Sequence, residues 1–346
     1  MEPYLLKKSE LKSFVETLLA GHEVIAPVRL EEGQISFSPV TSFEEIDLSG
    51  VNDPLPPKRF FLPQRERLFR FDAEGRILEE ADEKKRVIFG IRSCDVTALN
   101  FLENFFRKDF PDSYFLKKKE NTVLISLVCL TPGEHCFCVC ADSGPALKEG
   151  YDLQLTDLGE KYLVEIGSEK GKSLVSSRAA LSMKAGEADL KEKEERLRNV
   201  KYTNRYGDDF AYLERSIARL TAEKVPEEVW KKLEAGCLAC GGCAYVCPTC
   251  SCFTVQDFSD EGGCGSRERL WDSCVYSGFT REASGHNPRG AASERRKRRF
   301  YHKLNYYYMR ENAGKSGCVC CGRCVAVCPG CDNAMPEVVR SLRRGE

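Results

Sequence analysis

Cys237-Leu-Ala-Cys240-Gly-Gly-Cys243-Ala-Tyr-Val-Cys247-Pro248 is matched further along the chain by Cys318-Val-Cys-Cys321-Gly-Arg-Cys324-Val-Ala-Val-Cys328-Pro329. Each is a C-x2-C-x2-C-x3-C-P run, the spacing that holds 4Fe-4S clusters. Three thiolates set three residues apart can wrap one corner of a cubane. The fourth cysteine faces away past a proline and, in two-cluster ferredoxins, ligates the other cluster. The spacing therefore assigns Cys237, Cys240, Cys243 and Cys328 to one cluster, and Cys318, Cys321, Cys324 and Cys247 to a second. Glycines beside the ligands let the backbone approach an inorganic core closely. Zinc is the competing reading, but a zinc site needs only four ligands. Two complete runs in one chain fit a pair of iron–sulfur clusters better.

Working outward, the insert between the runs is long and not of low complexity. It holds aromatic residues, Trp271-Asp-Ser-Cys274 and a helix-forming stretch. This favours a mainly helical, ferredoxin-like domain with two 4Fe-4S clusters, expected over residues 206–346. Cys250, Cys252, Cys264, Cys274, Cys320 and Cys331 read as thiols packed near the clusters rather than as ligands. Glu294-Arg-Arg-Lys-Arg-Arg-Phe-Tyr-His-Lys303 is the strongest basic run. It reads as a helix around negatively charged clusters, or as a face for an acidic partner, in preference to a phosphate-binding surface.

Towards the N-terminus the pattern changes. Ser9 is placed to cap a helix running to Ala20, with Leu11, Phe14, Val15, Leu18 and Leu19 on one side. Strands are expected at 24–28 and 34–38, and mostly loop over 51–68. Arg86-Val-Ile-Phe-Gly-Ile91 reads as a buried strand entering a helix capped by Ser93 or Asp95. Another strand is expected at 122–129 and two more over 151–167. Strand, helix and strand in succession predict an α/β or α+β domain with a mixed sheet over residues 1–205. Charged helices follow at 184–199, 208–222 and 226–236.

Cys94 and Cys129 fall at the C-terminal ends of predicted strands, the edge where open α/β sheets bind ligands. Cys136, Cys138 and Cys140 follow closely. Cys94, Cys129, Cys136 and Cys138 form the preferred set for a third 4Fe-4S cluster, with Cys140 as the rival to Cys138. Core thiols, or zinc, are the alternatives at this edge.

Composition narrows the function class. Length, at 346 residues, fits roughly two domains. Nineteen cysteines without a secretory leader read as metal ligands in a reducing cytoplasm rather than as a disulfide scaffold. No apolar stretch reaches the length of a membrane span. A formal charge of -1 argues against a dedicated nucleic-acid binder. No G-x-G-x-x-G follows a strand, and four histidines support no catalytic triad. The chain reads as a carrier of electrons with no catalytic site of its own.

The ordered set of motifs resembles a known group. Gly90-Ile-Arg-Ser-Cys94-Asp95, Cys129 with Cys136-Phe-Cys138, and Tyr151-Asp-Leu carry the likeness in the first half. Cys247-Pro-Thr-Cys-Ser-Cys-Phe253, Trp271-Asp-Ser-Cys274, Gly285-His-Asn-Pro-Arg289 and both cluster runs carry it in the second. The sequence resembles a family of iron–sulfur electron-transfer subunits. It is typified by the beta subunit of sulfhydrogenase (soluble NiFe hydrogenase) and by the corresponding iron–sulfur subunit of anaerobic sulfite reductase. The hydrogenase type is favoured by the Cys136-Phe-Cys region through Tyr151. The resemblance implies electron passage between a flavoprotein partner that handles NAD(P)H, with FAD on that partner, and a NiFe hydrogenase or other catalytic partner. It also supplies Cys94, Cys129, Cys136 and Cys138 as a third ligand set. An iron–sulfur sensor or binding protein is the alternative from another class. In this chain Ser93 stands where proline is often seen, Cys140 where a hydroxyl residue is usual, and Cys320 adds a thiol inside the second run.

Overall fold

A computed structural model describes residues 2–31, 33–51, 53–79, 82–176, 183–202, 211–311, 314–330 and 335–344. Apolar and β-branched runs give the strands of the first half: β1 (Tyr4–Lys7), β2 (Glu23–Arg29), β3 (Ile35–Val40), β4 (Arg65–Phe71), β5 (Ile77–Glu79), β6 (Arg86–Arg92), β7 (Thr122–Leu127), β8 (Leu153–Asp157), β9 (Lys161–Ile166) and β10 (Met183–Lys184). The insert between the cysteine runs adds β11 (Phe253–Ser259) and β12 (Gly265–Trp271).

The main sheet runs β10-β1-β9-β8-β7-β6-β2-β3. Its centre, β2-β6-β7-β8, is parallel, and antiparallel strands flank it on both sides. This is the mixed sheet expected from the strand–helix–strand pattern. Parallel strands need cover on both faces, and successive residues of β6 and β7 supply it by pointing alternately to opposite sides. Val87, Phe89, Val123 and Ile125 join one core with Phe14 and Leu18 of the Leu11–Leu19 helix. Ile88 and Leu124 join the opposite core with Leu99, Leu102 and Phe106 of the Ser93–Arg107 helix.

Two capping expectations fail. Ser9 lies within a 3-10 turn, and Glu10 precedes the first helix without a side-chain cap. Arg92 is the N-cap residue of the Ser93–Arg107 helix, also without a side-chain bond. Asp95 is instead held by Arg323 of the second cysteine run. The expected loop over 51–68 contains a 3-10 turn at Pro57–Phe60 and, from Arg65, the start of β4. The charged helices appear as Glu187–Arg198, Ala211–Thr221 and Glu227–Ala235, with 208–210 outside the described residues.

The C-terminal half is not simply helical. The β11–β12 hairpin pairs from Phe253↔Trp271 to Ser259↔Gly265, and β12 pairs in turn with β4. The resulting sheet, β11-β12-β4-β5, joins strands from both sides of residue 205. Its two central strands carry the charged runs Arg65-Glu-Arg67 and Arg267-Glu-Arg269, so an apolar period does not reveal them. Cross-strand ion pairs hold them: Arg267 with Asp257, Arg65 with Glu268, and buried Arg269 with Glu66. Glu66 also receives Lys118, and Arg269 also reaches Asp112. A buried ion pair costs heavily if one partner is lost, so this network fastens the insert to the first half. The remaining helices form a third core around Trp230, Phe300, Leu304, Val338 and Leu342, which also receives Phe137 from the cysteine-rich loop.

Candidate metal centres

The two cysteine runs fold as near copies of each other. Gly241 (φ 76°) precedes the short helix Gly242–Tyr245, and Gly322 (φ 80°) precedes Arg323–Ala326. A β-carbon at Gly241 would lie 2.4 Å from Tyr276 Oη, and one at Gly322 would lie 2.2 Å from the His135 carbonyl oxygen. Glycine is therefore required twice over, by backbone conformation and by close approach.

Cys237, Cys240, Cys243 and Cys328 line one small cavity with Arg296 and Leu238. Cys247, Cys318, Cys321 and Cys324 line another with Arg299 and Lys303. Each quartet takes three thiols from one run and the fourth from the other. The first pocket is outer: Cys240 is exposed and Leu238 is 74% exposed. The second is inner, with Cys318 and Cys321 both buried.

The third set gathers at the C-terminal edge of the parallel strands. Cys94 starts the helix after β6, and Cys129 lies just beyond β7. Cys138 is close enough to feel the charge of Cys136 and Cys129, and Cys94 to feel Cys138 and Cys321. Cys94, Cys138 and Cys321 share one apolar cluster with Ala98 and Val319. Cys140 packs instead into the helical core and faces Cys320. This placement puts Cys138, not its rival, beside Cys94.

The third set and the inner pocket are bound tightly to each other. Phe137 N–H donates to the Cys320 carbonyl at 3.0 Å, and Ser143 Oγ donates to the Val319 carbonyl at 2.6 Å. Arg323 donates to both Asp95 oxygens at 2.7 Å and to the Asp53 carbonyl at 2.6 Å. Arg323 and Asp95 side chains are each 2% exposed, so this fork ties the second run to the helix that carries Cys94.

Buried cations surround the inner pocket. Lys58 Nζ donates to the Cys247 and Cys250 carbonyls at 2.8 and 2.9 Å and lies 4.3 Å from the Trp271 ring centre. Lys303 Nζ donates to Thr249 Oγ1 at 2.7 Å, and Arg299 to the Cys243 carbonyl at 3.2 Å. Among the described residues, no carboxylate pairs with Lys58, Arg299 or Lys303. Burial above all lowers the pKa of Lys58, to about 8. Burial also opposes charge on Lys303 and Arg299, yet nearby thiolates outweigh it and both pKa values rise: Cys247 and Cys250 act on Lys303, Cys243 and Cys324 on Arg299.

The thiols answer in kind. A hydrogen bond from Cys250 holds Cys247 well below the usual thiol range, helped by Lys303, Arg299 and Lys58. Cys318 is lowered by Cys320, whose backbone N–H reaches Cys318 Sγ at 3.4 Å. Burial pushes Cys324 up to about 11 and Cys138 up to about 12, with Tyr202 Oη opposing the latter from 3.2 Å.

Residues 236–331 match the family model of a 4Fe-4S dicluster domain. Over 321 residues the chain is 32% identical to the sulfhydrogenase 2 subunit beta of Pyrococcus furiosus, and the match covers 91% of each chain. The chain belongs to the sulfhydrogenase beta-subunit family. No solved structure matches it.

In this member of the sulfhydrogenase beta-subunit family, the inner and outer pockets fit a 4Fe-4S group on chemical grounds. Four thiols line the outer cavity and five, Cys320 included, the inner one, whose lining cations Arg299 and Lys303 pair with no carboxylate among the described residues. A buried cation needs a compensating anion, and thiolates around a cluster supply one. A bound cluster takes up and returns one electron at a time.

Sequence reading missed Lys58, Arg323, Asp95, Thr249 and Tyr202. Lys58 lies in the proline-rich stretch expected to be loop, and only its distant contact with Cys247 gives it meaning. The basic run is the partial exception: Arg295, Arg296, Arg299 and Lys303 are indeed buried, and the last three turn towards the cysteines. Of the remaining thiols, Cys264 ends the β11–β12 turn, and its carbonyl accepts from Asp260 N–H. Cys320 Sγ lies 3.9 Å from Cys318 Sγ. His286 is exposed. Cys331 lies outside the described residues. No helix among the described residues is long and apolar enough to cross a membrane.

Proposed function

We propose that this chain is the iron–sulfur electron-transfer subunit of a cytoplasmic hydrogenase complex, with three 4Fe-4S clusters in series. The ligand sets are Cys237/Cys240/Cys243/Cys328, then Cys247/Cys318/Cys321/Cys324, then Cys94/Cys129/Cys136/Cys138. One observation carries the reading: the three quartets are contiguous. Arg299 lies between the outer and inner sets, next to Cys243 and Cys324, and Cys94 shares an apolar cluster with Cys321. Electron transfer needs such closely spaced sites within a medium that excludes water. The exposed Cys240 edge gives the outer end access to a partner. The family relation supports a flavoprotein that handles NAD(P)H, carrying FAD, at one end and a NiFe hydrogenase partner at the other.

What this chain's own residues do is hold and bias the sites. Glycine turns let backbone close on each core, buried cations favour the reduced inner site, and the Arg323–Asp95 fork fixes the spacing between inner and third sets. Anaerobic purification from the native host tests the partners. Co-purifying flavoprotein and NiFe proteins support the proposal, and a sirohaem protein in their place makes this the sulfite-reductase counterpart. Cys321→Ala should abolish transfer between partners and leave their activity with artificial dyes; full physiological turnover in that variant would overturn the relay.

A further inference from the structure

Three buried residues close a ring of hydrogen bonds beside the inner pocket. Lys303 Nζ donates to Thr249 Oγ1 at 2.7 Å, and Thr249 Oγ1 donates to the Gly317 carbonyl at 2.6 Å. Gly317 N–H in turn donates to the Lys303 carbonyl at 2.9 Å. Cys247 Sγ lies at the edge of this ring, 3.3 Å from the Thr249 hydroxyl. Thr249 is 2% exposed and Lys303 4%, so bulk solvent does not compete for either group.

Each member is fixed by its place in the chain. Thr249 follows Cys247 by two residues, and Lys58 pins the backbone on both sides of it through the Cys247 and Cys250 carbonyls. Gly317 immediately precedes Cys318, and a β-carbon there would lie 2.6 Å from the His302 carbonyl oxygen. A side chain at 317 would therefore hold the second run away from the Ala292–Leu304 helix and open the ring. Thr249 thus touches both the thiol that the first run lends to the inner set and the residue that opens the second run.

The proton count of the ring decides what it can do. A threonine hydroxyl has one proton and two lone pairs, an ammonium only donates and a carbonyl only accepts. Cys247, as a thiolate ligand, has no proton to give. The single Thr249 proton is therefore contested between the Gly317 carbonyl and the Cys247 sulfur. Lys303 donates to the same oxygen and so strengthens whichever bond the hydroxyl makes. An electron added to the inner site makes the sulfur more negative and increases its claim. We propose that Thr249 tunes the potential of the inner site by turning its hydroxyl towards Cys247 when that site is reduced. The O–H bond stays intact and only its direction changes, so no proton leaves the ring. A hydrogen bond that is stronger in the reduced state favours reduction, and such bonds to sulfur are among the factors that set cluster potentials.

This inference rests on the relay reading, in which the inner quartet holds a cluster. The test uses the full chain with clusters loaded, titrated anaerobically and followed by paramagnetic resonance. Thr249→Val keeps the volume and removes the hydroxyl. It should weaken reduction of the inner site on the order of tenfold, about 59 mV for one electron, and leave the outer site unmoved. Thr249→Ala should shift the inner site in the same direction, and Thr249→Ser should restore the parental value. The reduced inner signal should also show a coupling to an exchangeable proton in the parent and in Thr249→Ser that is lost in Thr249→Val. Three results would overturn the inference: a parental inner potential in both hydroxyl-free variants, a serine variant that behaves like valine, or loss of the inner iron from both Thr249→Val and Thr249→Ala, which would make the hydroxyl a structural pin. Absence of inner signals from the parent itself would overturn the relay reading, and this inference with it.

Discussion

The outer and inner pockets are made by the same twelve-residue pattern, yet they sit in opposite surroundings. The outer one has Cys240 at the surface, an exposed Leu238 and Arg296 against its thiols, and it shares Arg299 at Cys243. Arg299 and Lys303 line the inner one with Lys58 close by, none of them paired with a carboxylate among the described residues, and Arg323, paired with Asp95, stands beside Cys321. The placing of the thiols is thus set by local spacing, whereas charge and solvent access are set by what the rest of the chain packs around the motif. Since cluster potentials follow net charge, hydrogen bonds to sulfur and exposure, one motif can make two sites of different potential. The cations around the inner site predict the higher potential there.

The largest effect tests the exchange of fourth ligands. Cys247→Ser should remove or destabilise the cluster held by Cys318, Cys321 and Cys324, with the loss of about four irons per chain. Iron analysis with paramagnetic spectra reads this, and persistence of the inner signals with loss of the outer ones would reverse the assignment. The intact protein should hold about 12 irons, as three cubanes require.

Next in size is the fork between the halves. Asp95→Asn leaves Arg323 buried without its counter-charge and should cost about 3–5 kcal/mol. Thermal melts under anaerobic conditions measure it. Asp95→Leu combined with Arg323→Met should cost much less than the single change, because no charge is left stranded.

A smaller effect bears directly on the contrast of potentials. Lys303→Gln should lower the inner potential by on the order of 100 mV, the scale of one buried charge at short range. Redox titration followed by paramagnetic resonance reads it. The same change should leave the outer potential nearly unmoved, and Arg296→Gln should do the reverse. Equal shifts at both sites would erase the distinction between them.

Much of the site was legible in the chain. The cysteine runs name their own candidate ligands because three thiols must lie within a few residues of one another, a local constraint that spacing records. The parallel sheet was legible for a similar reason: strands such as Val87–Ile91 are covered on both faces and read as apolar runs. The hairpin β11–β12 was not, because its stability comes from cross-strand charge pairs and from β4, far away in sequence. Cys138 and Cys140 are equal candidates in spacing, and only the fold places one beside Cys94 and turns the other to Cys320.

By itself, then, the sequence determined the spacing of the two cysteine runs, the strand–helix–strand core and the helical form of the basic run. These depend on short-range geometry and hydrophobic period, which lie within a few residues of each other. Tertiary structure alone decided that Lys58 reaches the Cys247 and Cys250 carbonyls, that Arg323 grips Asp95, and that Cys138 joins Cys94. Each of these pairs residues far apart along the chain, and the energy of a buried charge or a thiol contact depends on that final distance, which no local pattern encodes.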